Sequence, residues 1–147
     1  MKIVICASCA FSDKIIEIAD KLEKQGNQVD IPYVTKMIRE KKVSFEKFKK
    51  EKEKYGDIKF REEHRDQVDL IKRYYNLIKE SDAILVLNYD KKGVENYIGG
   101  SVLMEMGYAY VLDKKIYLLN DIPDMSYSDE LKDMKPIVIN GDLTKMK

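Results

Sequence analysis

Glu105 is the one charged side chain between Gly99 and Leu112. The segment opens on Gly99-Gly100-Ser101, where two glycines permit a sharp backbone turn and Ser101 offers a helix N-cap. Glu105 then falls in the first or second turn of an apolar helix, where the positive end of the helix dipole favours the ionised carboxylate. Unpaired backbone N–H groups at the same end suit an anion. A carboxylate beside an anion-ready loop is what a nucleophile needs to attack a phosphate-bearing sugar. The same spacing also fits a glutamate that only complements the helix dipole, and the local pattern leaves both readings open.

A second group with chemical potential is Cys6-Ala7-Ser8-Cys9, directly after the apolar run that starts at Ile3. A C-x-x-C at this place reads either as a redox pair or as a small-residue loop beneath a ligand. A thioredoxin-like pair sits at a helix N-terminus, whereas Ala10-Phe11-Ser12 intervenes here and Ser12 is the better cap. The ligand-loop reading takes Cys6, Ala7, Ser8 and Phe11 as substrate contacts. With 2 cysteines and 1 histidine in the chain, no structural zinc site is expected, and neither a catalytic metal nor a cofactor is.

The elements that must position these groups alternate strand and helix. Strands are expected over 2–6, 29–33, 83–88, 116–119 and 136–139, and helices over 12–25, 62–80, 101–112 and 126–133. Residues 36–66 break the rhythm with 12 Lys/Arg and 8 Asp/Glu, and read as a partly helical flap or a surface insertion. Uncharged central strands separated by helices imply a parallel sheet covered on both faces. The expected fold is a single α/β, flavodoxin-like or Rossmann-like domain over 1–147, with five strands in the order 2-1-3-4-5. Its ligand crevice lies at the carboxyl ends of the strands.

That topology sorts the remaining candidates. The loops at 6–11, 88–100 and 120–121 all emerge at the crevice, and Asp82 lies at the opposite end, where a capping role is expected. Asp90 leaves strand 3 facing the loop of Glu105 and is a candidate catalytic acid, although turn aspartates are common. Asn88, Asn96, Tyr97 and Asn120 are candidate contacts for sugar, phosphate or base. The helix before strand 3 runs antiparallel to it, so its amino end returns to the crevice. At ~1.5 Å per helical residue and ~3.3 Å per strand residue, His64 and Gln67 come level with the ligand. His64, Gln67, Ile71, Tyr74 and Ile78 then share the inward face. His64 is a candidate proton donor there, or simply a solvated histidine in a charged run.

Glu105-Met106-Gly107-Tyr108-Ala109 resembles the E-(L/I)-G-Y-A signature of the nucleoside 2-deoxyribosyltransferase family, which includes the deoxynucleoside 5′-monophosphate N-hydrolases. Ser81-Asp82-Ala83-Ile84-Leu85-Val86 is similar to the family's segment leading into the same site, and Lys114 to Leu119 stands where its next strand does. The resemblance is sharp from Ser81 to Leu119 and loose elsewhere. It implies that Glu105 is the nucleophile at the anomeric carbon, that a covalent glycosyl-enzyme forms, and that Gly99, Gly100 and Ser101 hold the 5′-phosphate or 5′-hydroxyl. It also implies a homodimer or higher homo-oligomer. The chain departs from the family pattern where Tyr74 and Gly99 replace its two aspartates, and the glycine four residues before the glutamate stands at five, as Gly100. The general acid then falls to Asp90, His64 or Tyr74.

Composition closes off other classes. Lys plus Arg is 27 and Asp plus Glu is 26, a net charge of +1, which gives no electrostatic capture of nucleic acid. No run reaches the ~20 apolar residues of a membrane span, and no signal-peptide pattern is seen, so a cytoplasmic protein is expected. The leading expectation is an enzyme that cleaves or exchanges the N-glycosidic bond of a nucleoside or nucleotide, as hydrolase or transferase. A nucleotide-binding module with little turnover is the second, and a cysteine-pair redox protein the third.

Overall fold

Period-two alternation along the apolar strands sends successive side chains to opposite faces of one sheet. The computed structural model describes residues 1–55 and 68–147. Its strands are β1 (Lys2–Cys6), β2 (Gln28–Asp30), β3 (Ala83–Val86), β4 (Lys115–Leu118) and β5 (Ile137–Val138). They pair in parallel in the order β2-β1-β3-β4-β5, with Ile3 opposite Ala83 and Cys6 opposite Val86. This is the expected α/β sheet.

Helices cover both faces. Ile3, Ile5, Ala83, Leu85 and Tyr117 pack with Ile15, Ala19 and Leu22 of α1 (Ser12–Lys24). Val4, Cys6, Ile84, Val86 and Leu118 face the other way, against Tyr74 and Ile78 of α4 (Leu70–Lys79) and Val102, Met106 and Ala109 of α5 (Gly100–Val111). The charged excursion begins with α2 (Tyr33–Arg39) and α3 (Phe45–Tyr55), and α6 (Ser128–Asp133) precedes β5. Among the described residues, no helix is long and apolar enough to cross a membrane.

Several boundaries differ from expectation for local reasons. β2 stops at Asp30 because Pro32 has no N–H to continue a ladder and instead precedes α2. Ser12 lies inside α1 rather than capping it; its hydroxyl donates to Cys9 O at 2.7 Å and meets Thr35 Oγ1 at 2.8 Å, tying α1 to α2. The helix expected from residue 62 is seen from Leu70, where Asp69 caps it by accepting from Lys72 N at 3.0 Å. Residues 62–67 lie outside the described ones. Among the described residues of the expected inward face, Tyr74 and Ile78 are buried and Ile71 is 52% exposed. Asp82, at the far end of the sheet, accepts from Lys2 N at 2.7 Å.

Candidate active site

The strand order reverses between β1 and β3, and a cavity of about 440 Å³ opens beyond their carboxyl ends. That volume suits a small molecule. Its floor is the loop Ala7, Ser8 and Cys9 after β1 together with the first turns of α5, from Gly99 to Glu105 and Tyr108. Lys91, Lys92 and Tyr97 form one wall, and Pro32, Tyr33, Phe48, Lys52, Leu70, Ile71 and Tyr74 complete the rim.

Glu105 is the one carboxyl lining this cavity among the described residues. It is the sixth residue of α5, past the first turn, where the dipole has faded. Strand alternation turns Cys6 to the same face of the sheet, and its thiol donates to the Glu105 carboxyl. Burial pushes Glu105 up to about 8, and the Cys6 contact only partly offsets this. The expected permanently ionised carboxylate is therefore corrected: desolvation outweighs the helix end. Cys6 in turn is held well above the usual thiol range, by burial first and by the Glu105 charge second. Tyr74 is also raised by burial and then by Glu105, and its hydroxyl donates to Ile5 O at 2.8 Å.

One wall is a small hairpin. Lys91 and Val94 exchange N–H···O bonds of 3.0 Å each, and Lys92 and Gly93 between them have φ of 53° and 72°. Two consecutive residues in that region make the tight turn whose twist suits a hairpin. Asp90 Oδ1 accepts from Asn96 N at 2.9 Å, and Tyr97 N donates to Tyr89 O at 3.0 Å, closing the loop. Lys91 Nζ reaches across to Ser8 Oγ at 2.7 Å, so the loops after β1 and β3 are joined over the cavity. Tyr97 lies against the start of α5, since a Cβ on Gly99 would meet its ring at 3.2 Å. Gly99 and Gly100 both lack positive φ, so Gly99 is small for contact rather than for a turn. Gly99, not Ser101, is the N-cap, and a glycine brings no side-chain cap of its own to α5. The hydroxyl of Tyr127 donates to Ile98 O and pins the chain just before it.

Of the residues singled out in the sequence, Ala7, Ser8, Tyr74, Tyr97, Gly99, Gly100, Ser101 and Glu105 meet at this cavity. Cys6 is fully buried beneath it and touches Glu105 instead. Asp90, Asn96 and Asn120 line a separate recess with Lys14, Tyr89 and Glu95, so Asp90 does not face Glu105. Phe11 packs edge-on against Tyr89 at 5.2 Å. Asn88 is buried, and its amide and that of Asn120 are spent on each other's backbone. His64 lies outside the described residues. A redox pair needs two accessible thiols; Cys6 has none of its surface exposed, and only Cys9 reaches the cavity. The described residues bring no three His, Cys, Asp or Glu together as a metal site.

Sequence reasoning missed Lys91, Lys92 and Lys52. A Lys-Gly pair at 92–93 is a weak hairpin signal, because the first central position usually carries Asn, Asp or Gly. The lysine of α3 sat in a charge run that gave no reason to prefer one residue over another.

No family model and no curated protein matches this chain. Among solved structures, it is similar to a CMP N-glycosidase, BcmB, from Clostridium botulinum, at 18% identity and a TM-score of 0.43, over 80% of this chain and 70% of that one.

Proposed function

We propose that this chain is an enzyme that cleaves the N-glycosidic bond of a nucleoside or nucleoside 5′-monophosphate, with Glu105 as nucleophile. The observation that carries the reading is the placement of Glu105: among the described residues, it is the one carboxyl on the floor of a small-molecule cavity at the sheet's switch point. The signature around it, Glu105-Met106-Gly107-Tyr108-Ala109, supports the same role.

In this reading, Glu105 first gives up its proton to solvent, and one carboxylate oxygen forms a bond to the anomeric carbon. The base leaves with the electron pair of the C–N bond and takes a proton from solvent water. A water molecule then attacks the same carbon, loses a proton to solvent, and the glycosyl ester breaks to return the carboxylate, with net retention at the sugar. Burial suits both steps: a poorly solvated carboxylate is more reactive, and the cation-like sugar of the transition state sits beside it. Cys6 keeps the carboxyl oriented without competing as a nucleophile, because its own thiol stays protonated. Tyr74 keeps its proton on Ile5 O, which makes it a positioning group rather than the acid.

A second reading, a nucleotide-binding module with little turnover, is favoured by one observation. No other carboxyl lines the cavity among the described residues, so no second acid is in place there for the leaving base. Base release from a panel of nucleosides and their 5′-monophosphates separates the two. The enzyme reading expects release by the wild type and a loss of at least about a thousandfold in Glu105→Ala. Equal rates for the two proteins contradict it.

A further inference from the structure

Arg73 is a charged group that the reaction above leaves unused. It stands next to Tyr74 on α4, and its guanidinium carbon lies 5.6 Å from the Tyr74 ring centroid and 5.8 Å from that of Tyr33. Both tyrosines line the cavity. Arg73 Nη2 donates to Ile31 O at 3.2 Å, and Nη1 is buried with no hydrogen-bond partner. Among the described residues no carboxylate pairs with this guanidinium. Asp30, beside Ile31 in the chain, has Lys2 Nζ at 3.9 Å. A guanidinium keeps its charge at any working pH, and aromatic faces hold a cation without neutralising it. Its field extends to the site: the Tyr74 hydroxyl is acted on by Glu105 in one sense and by Arg73 in the opposite one.

Resting on the reading above, we infer that Arg73 sets a positive field behind the Tyr33–Tyr74 wall, and that this field stabilises the negative charge on the departing base. The base leaves with the electron pair of the C–N bond and is anionic until solvent protonates it. No second carboxylic acid lines the cavity among the described residues to protonate it sooner. A fixed cation in a poorly solvated site lowers the energy of developing negative charge without moving a proton. Arg73 does not itself line the cavity, so it acts through the two tyrosines rather than by touching the substrate.

The test varies the charge on the leaving base. For whichever nucleoside or 5′-monophosphate is turned over, kcat is compared with that of a derivative whose base leaves more easily. For a purine this is the 7-methyl form, whose base departs uncharged, and for a pyrimidine the 5-fluoro form. Arg73→Met is expected to slow the parent at least about tenfold and the derivative at most about threefold. Arg73→Lys keeps the charge, gives up the planar fork, and is expected to recover most of the difference. Lost packing alone slows both substrates alike. A binding arm needs no turnover: calorimetry on Glu105→Gln protein compares urate, an anion at neutral pH, with neutral hypoxanthine. Urate is expected to bind at least about tenfold more tightly, and the preference to vanish when Arg73→Met is added. Equal losses for parent and derivative, equal binding of urate and hypoxanthine, or a urate preference that survives Arg73→Met overturns the inference. A urate preference that depends on Arg73, with no base release in the wild type, keeps the cationic wall and removes the proposed reaction. Base release with equal losses does the reverse.

Discussion

At the scale of the residue, Glu105 has two opposing influences, and magnitude decides between them. A helix N-terminus contributes roughly 0.3–1 kcal/mol to a nearby anion and fades within a turn. Loss of solvent costs more, and the carboxyl rises from 4.5 to about 8. The type and position of the glutamate were legible in the sequence, because it interrupts an apolar segment. Its protonation was not, since that depends on how tightly β1 and α5 close over it. The linkage has a definite sign. Between about 4.5 and 8 the native state binds a proton at Glu105 that the unfolded chain has lost, so this residue destabilises the fold progressively as pH rises through that window. With solvent in the cavity screening part of the charge, the effect is on the order of 3 kcal/mol. Urea unfolding of wild type and Glu105→Gln checks this. The wild type is expected to lose stability relative to the variant between pH 5 and pH 9, whereas parallel pH dependences mean that the carboxyl is well solvated.

At the scale of the element, the loops that frame the site are fixed by side chains read as ligand contacts. Asn88 donates to Asn120 O at 3.1 Å and Asp121 O at 2.9 Å and accepts from Asn120 N at 2.9 Å, while Asn120 Nδ2 donates to Asn88 O at 3.1 Å. The clamp joins the ends of β3 and β4. Asn88→Ala strips a part-buried clamp of three of these four bonds and is expected to cost about 2 kcal/mol, measured as a shift of the urea midpoint at constant slope. A loss below about 0.5 kcal/mol means that water takes over these bonds. Polar residues after a strand advertise a crevice in sequence, but whether they face a ligand or each other is a tertiary fact. The strand and helix succession was readable because Ile3 to Cys6 and Ala83 to Val86 are uncharged apolar runs separated by helical patterns, while the split of their side chains between two faces is seen only in the structure. Boundaries were less so: Asp69, not an apolar residue, starts α4, and a helical period continued upstream through residues that include Val68 and Asp69, which are not helical.

At the scale of the whole molecule, one apolar surface stays exposed among the described residues. On α5, Met104, Tyr110 and Val111 are 37%, 49% and 73% exposed, although the helix carries one charge in its whole length. Tyr75 of α4 packs edge-on against Tyr108 at 5.6 Å, so α4 shields one flank only. We propose that a second copy of the chain covers this face and makes a homodimer or higher oligomer. At ~25 cal/mol per Å² of apolar area removed from water, pairing such a stripe contributes several kcal/mol. Light scattering at micromolar concentration is expected to give at least twice the 17.2 kDa chain mass, with Val111→Lys shifting the population to monomer. A single-chain mass for the wild type contradicts it.

The most direct measurement on the central claim is the pH dependence of kcat/KM for base release, from pH 6 to 9.5, on whichever nucleoside or 5′-monophosphate is turned over. A nucleophile must be ionised, and free Glu105 titrates at about 8. The account predicts kcat/KM rising about tenfold per pH unit below that value and levelling above it. A profile that falls through the same range makes Glu105 a proton donor, and one that is flat removes it from the chemistry; either result contradicts the nucleophile.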